Sequence, residues 1–284
     1  MAVLNQFKTV MLLGLLTGLL LGVGFLVGGQ QGLLIALIFS VLMNFGTYWF
    51  SDRIVLAMYR AKQITHSEAP ELFSTVKGIA HLAGMPMPKV YMIPSEAANA
   101  FATGRNPAHA AVAVTHGIMR ILSKDELKGV LAHEMAHVKN RDILITTIAA
   151  TIAGVISFIA TMAQWSAMFG GFGGRDSNRE GGGLVGLLAL AIVTPLIAML
   201  LQLALSRSRE YLADEIGAKM IHNPLALASA LEKLESETKR TPLRMGSEAT
   251  SSLFIVNPFR AGMFLSLMST HPPMAERIKR LREM

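Results

Sequence analysis

Leu131-Ala132-His133-Glu134-Met135-Ala136-His137-Val138 carries the pattern H-E-x-x-H. On a helix, positions i and i+4 share a face, so His133 and His137 can present two imidazole nitrogens to one point. Glu134 reaches the rim of that site, where its carboxylate can take a proton from an attacking water. The flanks favour a helix: Ser123 with Glu126 makes a capping box, and neither Pro nor Gly falls between Val130 and the end of the motif. Leu127, Val130, Leu131, Met135 and Val138 supply an apolar stripe, and the polar residues among them need partners. A zinc ion would satisfy both histidines at once.

The rest of the chain places that helix at a membrane. Of 284 residues, 52% are hydrophobic and only 16% charged, too apolar for an ordinary soluble protein. There is no cysteine, which excludes disulfides and thiolate metal sites and restricts zinc to nitrogen and oxygen ligands. Four stretches reach the length of a bilayer crossing: Thr9 to Val27, Gly32 to Phe50, Ile143 to Trp165 and Leu184 to Leu205. None contains Asp, Glu, Lys, Arg or His, so none reads as an ion path. The first is too long for a signal-peptide core and is expected to be retained.

Basic residues set the expected orientation. One precedes the first span, eleven fall in 51–142, two lie between the third and fourth spans, and twelve follow Leu205. The crowded segments should therefore be cytoplasmic, and the net charge of +7 reads as an orientation signal with no role for nucleic acid. The expected organisation is a two-span anchor (1–50), a first cytoplasmic segment with the H-E-x-x-H helix (51–142), a second pair of spans (143–205) and a second cytoplasmic segment (206–284).

Within 51–142, Ser67 is expected to cap a helix running to about Leu82, with Gly84 as its stop. Short apolar runs at Val90–Ile93, Asn99–Gly104 and Ala111–Thr115 read as strands of a small sheet. Lys139-Asn140-Arg141-Asp142 marks the headgroup level. The tail reads as helices through about Ile221, from Pro224 to about Thr238, and from Pro272 onward.

A catalytic zinc wants three protein ligands and an open position. His137 precedes the third span and Glu210 follows the fourth, so a hairpin of those spans would make the two segments neighbours. Glu210 suits the third ligand. Asp214, one turn on, suits a hydrogen bond to the far nitrogen of a zinc-bound His. The alternative is that both acids pair with Arg207 and Arg209 on a solvated helix. Glu215 points elsewhere.

Taken together, the H-E-x-x-H helix, Ser208-Arg209-Glu210-Tyr211-Leu212-Ala213-Asp214, Asn99-Ala100-Phe101-Ala102-Thr103-Gly104 and Thr270-His271-Pro272-Pro273 resemble the HtpX family. These are bacterial membrane zinc metalloproteases related to type I CAAX prenyl proteases. The resemblance implies an α-helical membrane protein with four transmembrane helices and a cytoplasmic α+β zincin-like protease domain, in the bacterial inner membrane. It implies one zinc per chain on His133, His137 and Glu210, with Glu134 as base, and proteolytic quality control of membrane proteins under stress. It also places His271 near the zinc, as an oxyanion stabiliser or a gate. The strand with Asn99 and Phe101 is expected to pair with substrate backbone by β-addition. Polypeptides and the lipid bilayer are the expected partners; the sequence leaves the oligomeric state open.

Two other classes are weaker. An intramembrane protease would bury the motif in a span, whereas Lys124, Asp125, Glu126, Lys128, Lys139, Arg141 and Asp142 surround this one. A zinc-binding scaffold would need a fourth ligand and would have no use for Glu134.

Overall fold

A computed structural model describes residues 2–148, 207–240, 255 and 272–284. Ala2–Met58 is helical throughout (α1), yet it is not a straight rod. Asn44 Nδ2 donates to Thr17 Oγ1 at 2.7 Å and to the Leu13 carbonyl at 3.5 Å. In a straight helix, residues 27 positions apart would be separated by about 40 Å. The chain therefore reverses between them. Gly29, with φ of 56°, supplies the left-handed conformation that the reversal needs. The reversal between the first two apolar stretches is thus a glycine kink, and the two stretches form the arms of a helical hairpin. Gly29–Met58 is long and apolar enough to cross a membrane, and it is the one such helix among the described residues. Leu34, Ile35, Ile38, Val41 and Leu42 on it are exposed, as lipid-facing residues would be. Residues 143–148, where the third stretch begins, are helical. The rest of that stretch, the fourth stretch, the 166–183 loop and His271 lie outside the described residues.

The sheet has four strands, β1 (Lys62–Gln63), β2 (Lys89–Ile93), β3 (Ala100–Gly104) and β4 (Ala110–Thr115), in the order β1-β2-β4-β3. β2 runs parallel to β4, with Val90 opposite Val112, while β3 is antiparallel to β4, with Ala102 opposite Val112. Every residue of β3 and β4 is buried, so both strands are covered along their whole length. That explains their unbroken apolar composition, because both faces of the sheet are covered. On one face, Val90, Val112 and Val114 join the main core with Leu131, Met135 and Leu227. On the other, Phe101, Ala111 and Ala113 pack against Val55, Leu56 and Tyr59 at the end of α1.

α2 (Pro70–Ala83) begins later than the sequence reading has it. Ser67 is not its cap: Ala69 holds that position without a side-chain bond, and Pro70 opens the helix with its preset φ. Ser67 instead bonds Thr65, whose own backbone and hydroxyl are held by Glu68. Gly84 ends α2 as expected. α3 (His116–Ile121) leads into α4 (Lys124–Lys139), where the Ser123–Glu126 capping box is complete. The tail supplies α5 (Arg207–Ile221), α6 (Pro224–Arg240) and α7 (Met274–Arg282). α5 lies directly on α4. A side chain at Gly217 would come within 2.8 Å of the His133 backbone nitrogen, so the bare glycine permits this closeness.

Candidate metal centre

The close packing of α4 on α5 brings His133, His137 and Glu210 into one buried group. The two Nε2 atoms lie 3.2 Å apart. Glu210 Oε1 is 3.4 Å from His137 Nε2, and its Oε2 is 3.7 Å from His133 Nε2. Four-coordinate zinc with bonds of about 2.0–2.1 Å separates its ligands by about 3.3–3.4 Å. The three atoms therefore stand at the spacing that one ion would span.

The far side of each ring is also engaged. His133 Nδ1 lies 2.9 Å from Asp214 Oδ1, close in distance although bent in angle. His137 Nδ1 faces Asp142 Oδ2 at 3.4 Å. A carboxylate on Nδ1 favours the tautomer with its proton there, which turns the lone pair of Nε2 outward. Two such lone pairs pointing at each other repel unless a cation lies between them. Charge agrees. Glu134, Asp142, Glu210 and Asp214 are all buried here, against the buried guanidiniums of Arg209 and Arg277. Fully ionised, that set is short of two positive charges, the charge of a divalent ion.

Arg277, on α7, is fully buried and holds the group together. It pairs with both oxygens of Asp214, and its Nη1 lies 3.4 Å from Glu210 Oε2. Burial alone would raise the Asp214 pKa, but Arg277 and then His133 outweigh it and hold the carboxyl below its ordinary value. Burial likewise opposes a charged His137, yet Asp142 and Glu210 lift its pKa to about 10, so protons compete with metal for that ring. Glu134 is pushed up by burial, with His133, His137 and the Ala102 amide working against the rise.

Glu134 Oε2 accepts a 2.9 Å hydrogen bond from the Ala102 backbone N–H. In an antiparallel pair, alternate residues face the partner strand. The Thr115 amide donates to the Asn99 carbonyl, so Asn99, Phe101 and Thr103 face β4 and Ala102 faces the outer edge. Asn99 and Phe101 are both buried. Phe101 turns its ring onto Tyr59 at 5.5 Å, and Asn99 Oδ1 accepts from the Ile255 amide. Among the described residues, β3 is the terminal strand of the sheet on the side of Glu134.

Glu210 and Asp214 are therefore not surface acids paired with Arg207 and Arg209. Arg207 is exposed, and Arg209 lies 3.7 Å from Asp142. Glu215 is exposed and pairs with Lys219. Arg277 is absent from the sequence reading, which also gives Asp142 no part in the site; here Asp142 faces His137.

The sequence profile of peptidase family M48 matches residues 66–284. The chain is 55% identical over 282 residues to a protease HtpX homolog of Syntrophobacter fumaroxidans, covering 99% of both chains. To the protease HtpX homolog of Pyrococcus furiosus it is 53% identical over 276 residues, covering 97% of this chain and 94% of that one. The crystal structure of Ste24p from S. mikatae shares its fold with a TM-score of 0.52 at 20% identity. That match covers 98% of this chain, which spans 65% of the Ste24p chain. With a His-His-Glu group of metal-binding geometry on that fold, the chain belongs to peptidase family M48 and is a membrane-associated metallopeptidase of the HtpX type.

Proposed function

We propose that the chain is a zinc-dependent endopeptidase of four membrane spans, with its protease segments in the cytoplasm, that hydrolyses misfolded or damaged membrane proteins. The observation that carries this reading is the convergence of His133 Nε2, His137 Nε2 and the Glu210 carboxylate, with Glu134 alongside. His133, His137 and Glu210 would hold the ion, which when bound supplies Lewis acidity toward a peptide carbonyl and toward water. Asp214 and Asp142 fix the two rings. Glu134 takes the proton of the attacking water and delivers it to the leaving amine. Its bond to the Ala102 amide aims one carboxylate oxygen along the edge strand, leaving the other for the proton.

Substrate backbone is read as an added strand on β3, through the outward-facing groups of Ala100, Ala102 and Gly104, while Asn99 and Phe101 anchor that strand from behind. Backbone pairing carries little sequence information, so specificity should be loose. His271 is proposed to stabilise the oxyanion or to gate the metal.

The test separates base from ligand. Glu134→Gln should keep stoichiometric zinc and lose about 10²–10⁴-fold in casein-type cleavage, whereas His133→Ala should lose the metal. Near-normal turnover by the Glu134 variant would refute the mechanism.

A further inference from the structure

The end of α1 and strand β3 touch at two separated levels. Tyr59 packs on Phe101 with ring centroids 5.5 Å apart, and the Arg105 guanidinium lies 4.4 Å over the ring of Trp49. Tyr59 follows directly on α1 and Arg105 directly on β3; from Tyr59 back to Trp49 is about 15 Å along the helix, and from Phe101 on to Arg105 is about 13–14 Å along the strand. Matching lengths mean that strand and helix run side by side in opposite directions. β3 also touches the helix with which the third apolar stretch begins, where Thr103 Oγ1 lies 3.1 Å from Thr147 Oγ1.

Trp49 marks a boundary. Tyr48, Trp49 and Phe50 are 36%, 42% and 43% exposed and close the apolar run of the Gly29–Met58 helix; Asp52 and Arg53 follow at once. Exposed aromatics beside the first charges are the mark of a bilayer interface. A spanning helix stands within a few tens of degrees of the membrane normal, and β3 must share its direction.

We infer that β3 stands upright on the bilayer with its Gly104 end at the headgroup level, so that the metal centre selects peptide bonds at a fixed height above the membrane. The height follows from Glu134, which meets β3 at Ala102. From there to Arg105 is three residues of extended chain, about 10 Å. The preferred substrate is therefore an extended polypeptide anchored in the same bilayer, cut about three to four residues from where it leaves the lipid. This rests on the peptidase reading of the centre.

The orientation can be tested without catalysis, since the chain has no native cysteine. His109 and Glu96 are exposed, one just beyond the Gly104 end of β3 and the other just before Ala100. Bimane on H109C should be quenched by headgroup-spin-labelled lipid in vesicles at least several-fold more than bimane on E96C. Equal quenching would overturn the upright strand. The cutting height is read with zinc-loaded full-length enzyme in phosphatidylethanolamine–phosphatidylglycerol vesicles. Co-reconstituted single-span peptides, anchored at either end, carry polar spacers of increasing length. In the series whose polarity the edge accepts, the mapped cut should stay at constant distance from the anchor as the sequence slides past it. A cut that follows the sequence in both series overturns the inference. Failure to cut these peptides or casein would instead refute the peptidase reading. Replacing Trp49 and Arg105 together by Ala should broaden the spread of cut positions; an unchanged sharp cut counts against their role as the reference level.

Discussion

Arg277 meets Asp214 as a two-pronged ion pair, Nε to Oδ2 and Nη2 to Oδ1, each at 2.7 Å. Asp214 in turn faces His133 Nδ1, so a residue on the last helix sets the ring of a candidate ligand on the H-E-x-x-H helix. Both partners are buried, and a buried guanidinium is replaced poorly by an ammonium, which lacks the planar fork.

Substitutions around this pair should rank by what they touch. Glu210→Gln removes an anionic ligand and should weaken zinc most in a metal titration. Asp214→Asn and Arg277→Lys disturb only orientation and charge, and should cost on the order of 10–100-fold in affinity or activity. Glu215→Gln, at an exposed position, should bind as wild type does. The assignment of the third ligand is wrong if Glu215→Gln loses zinc and Glu210→Gln does not.

Gly217 should be intolerant of a side chain. The added Cβ would lie 2.8 Å from the His133 nitrogen and 3.0 Å from the Ala132 carbonyl carbon, both backbone atoms that cannot swing aside. Gly217→Ala is expected to lose about 1–3 kcal/mol of stability from overpacking and to weaken zinc, because α5 carries Glu210. A variant with wild-type melting and metal affinity would show that the two helices part at no cost.

Glu126 joins α4 to α6 in a way that should make stability pH-dependent. Burial would raise its pKa, but Lys233, Ser229 and Ser123 bond the carboxylate and bring it down to about 2. A folded-state value below the unfolded one gives stability that is present above the ordinary glutamate range and is lost as pH falls toward 2. Glu126→Gln should therefore cost about 1–3 kcal/mol at neutral pH and little near pH 2.5. A gap that does not narrow with acid would argue against the charge as its source.

The helical hairpin offers a direct test in a chain without cysteines. Thr17→Cys with Asn44→Cys should cross-link within one molecule in vesicles, given the 2.7 Å contact between those side chains. A straight helix would hold them about 40 Å apart and give no intramolecular product.

The H-E-x-x-H helix, its capping box and three of the strands were legible because each rests on local chemistry: spacing, a cap pair, an apolar run. Glu210 was legible through the order of the apolar stretches. Arg277 and Asp142 were not, because a charged residue in a sequence reads as solvated, and only the assembled helices show that each answers an opposite charge. One signal was available for Arg277. It precedes Ile278 and stands one turn before Leu281, on the buried face of α7. Ser67 misled because a capping residue type two positions before Ala69 competes with Pro70, whose fixed φ starts the helix on its own.

The seam between α4 and α5 also orders events in time. His133 and His137 leave the ribosome well before Glu210 and Gly217, with the whole 143–206 segment made in between. A half-made chain thus carries two of the three candidate ligands, one short of the set a catalytic zinc site uses. The three-residue group is assembled only when the second half of the chain has come back to meet the first.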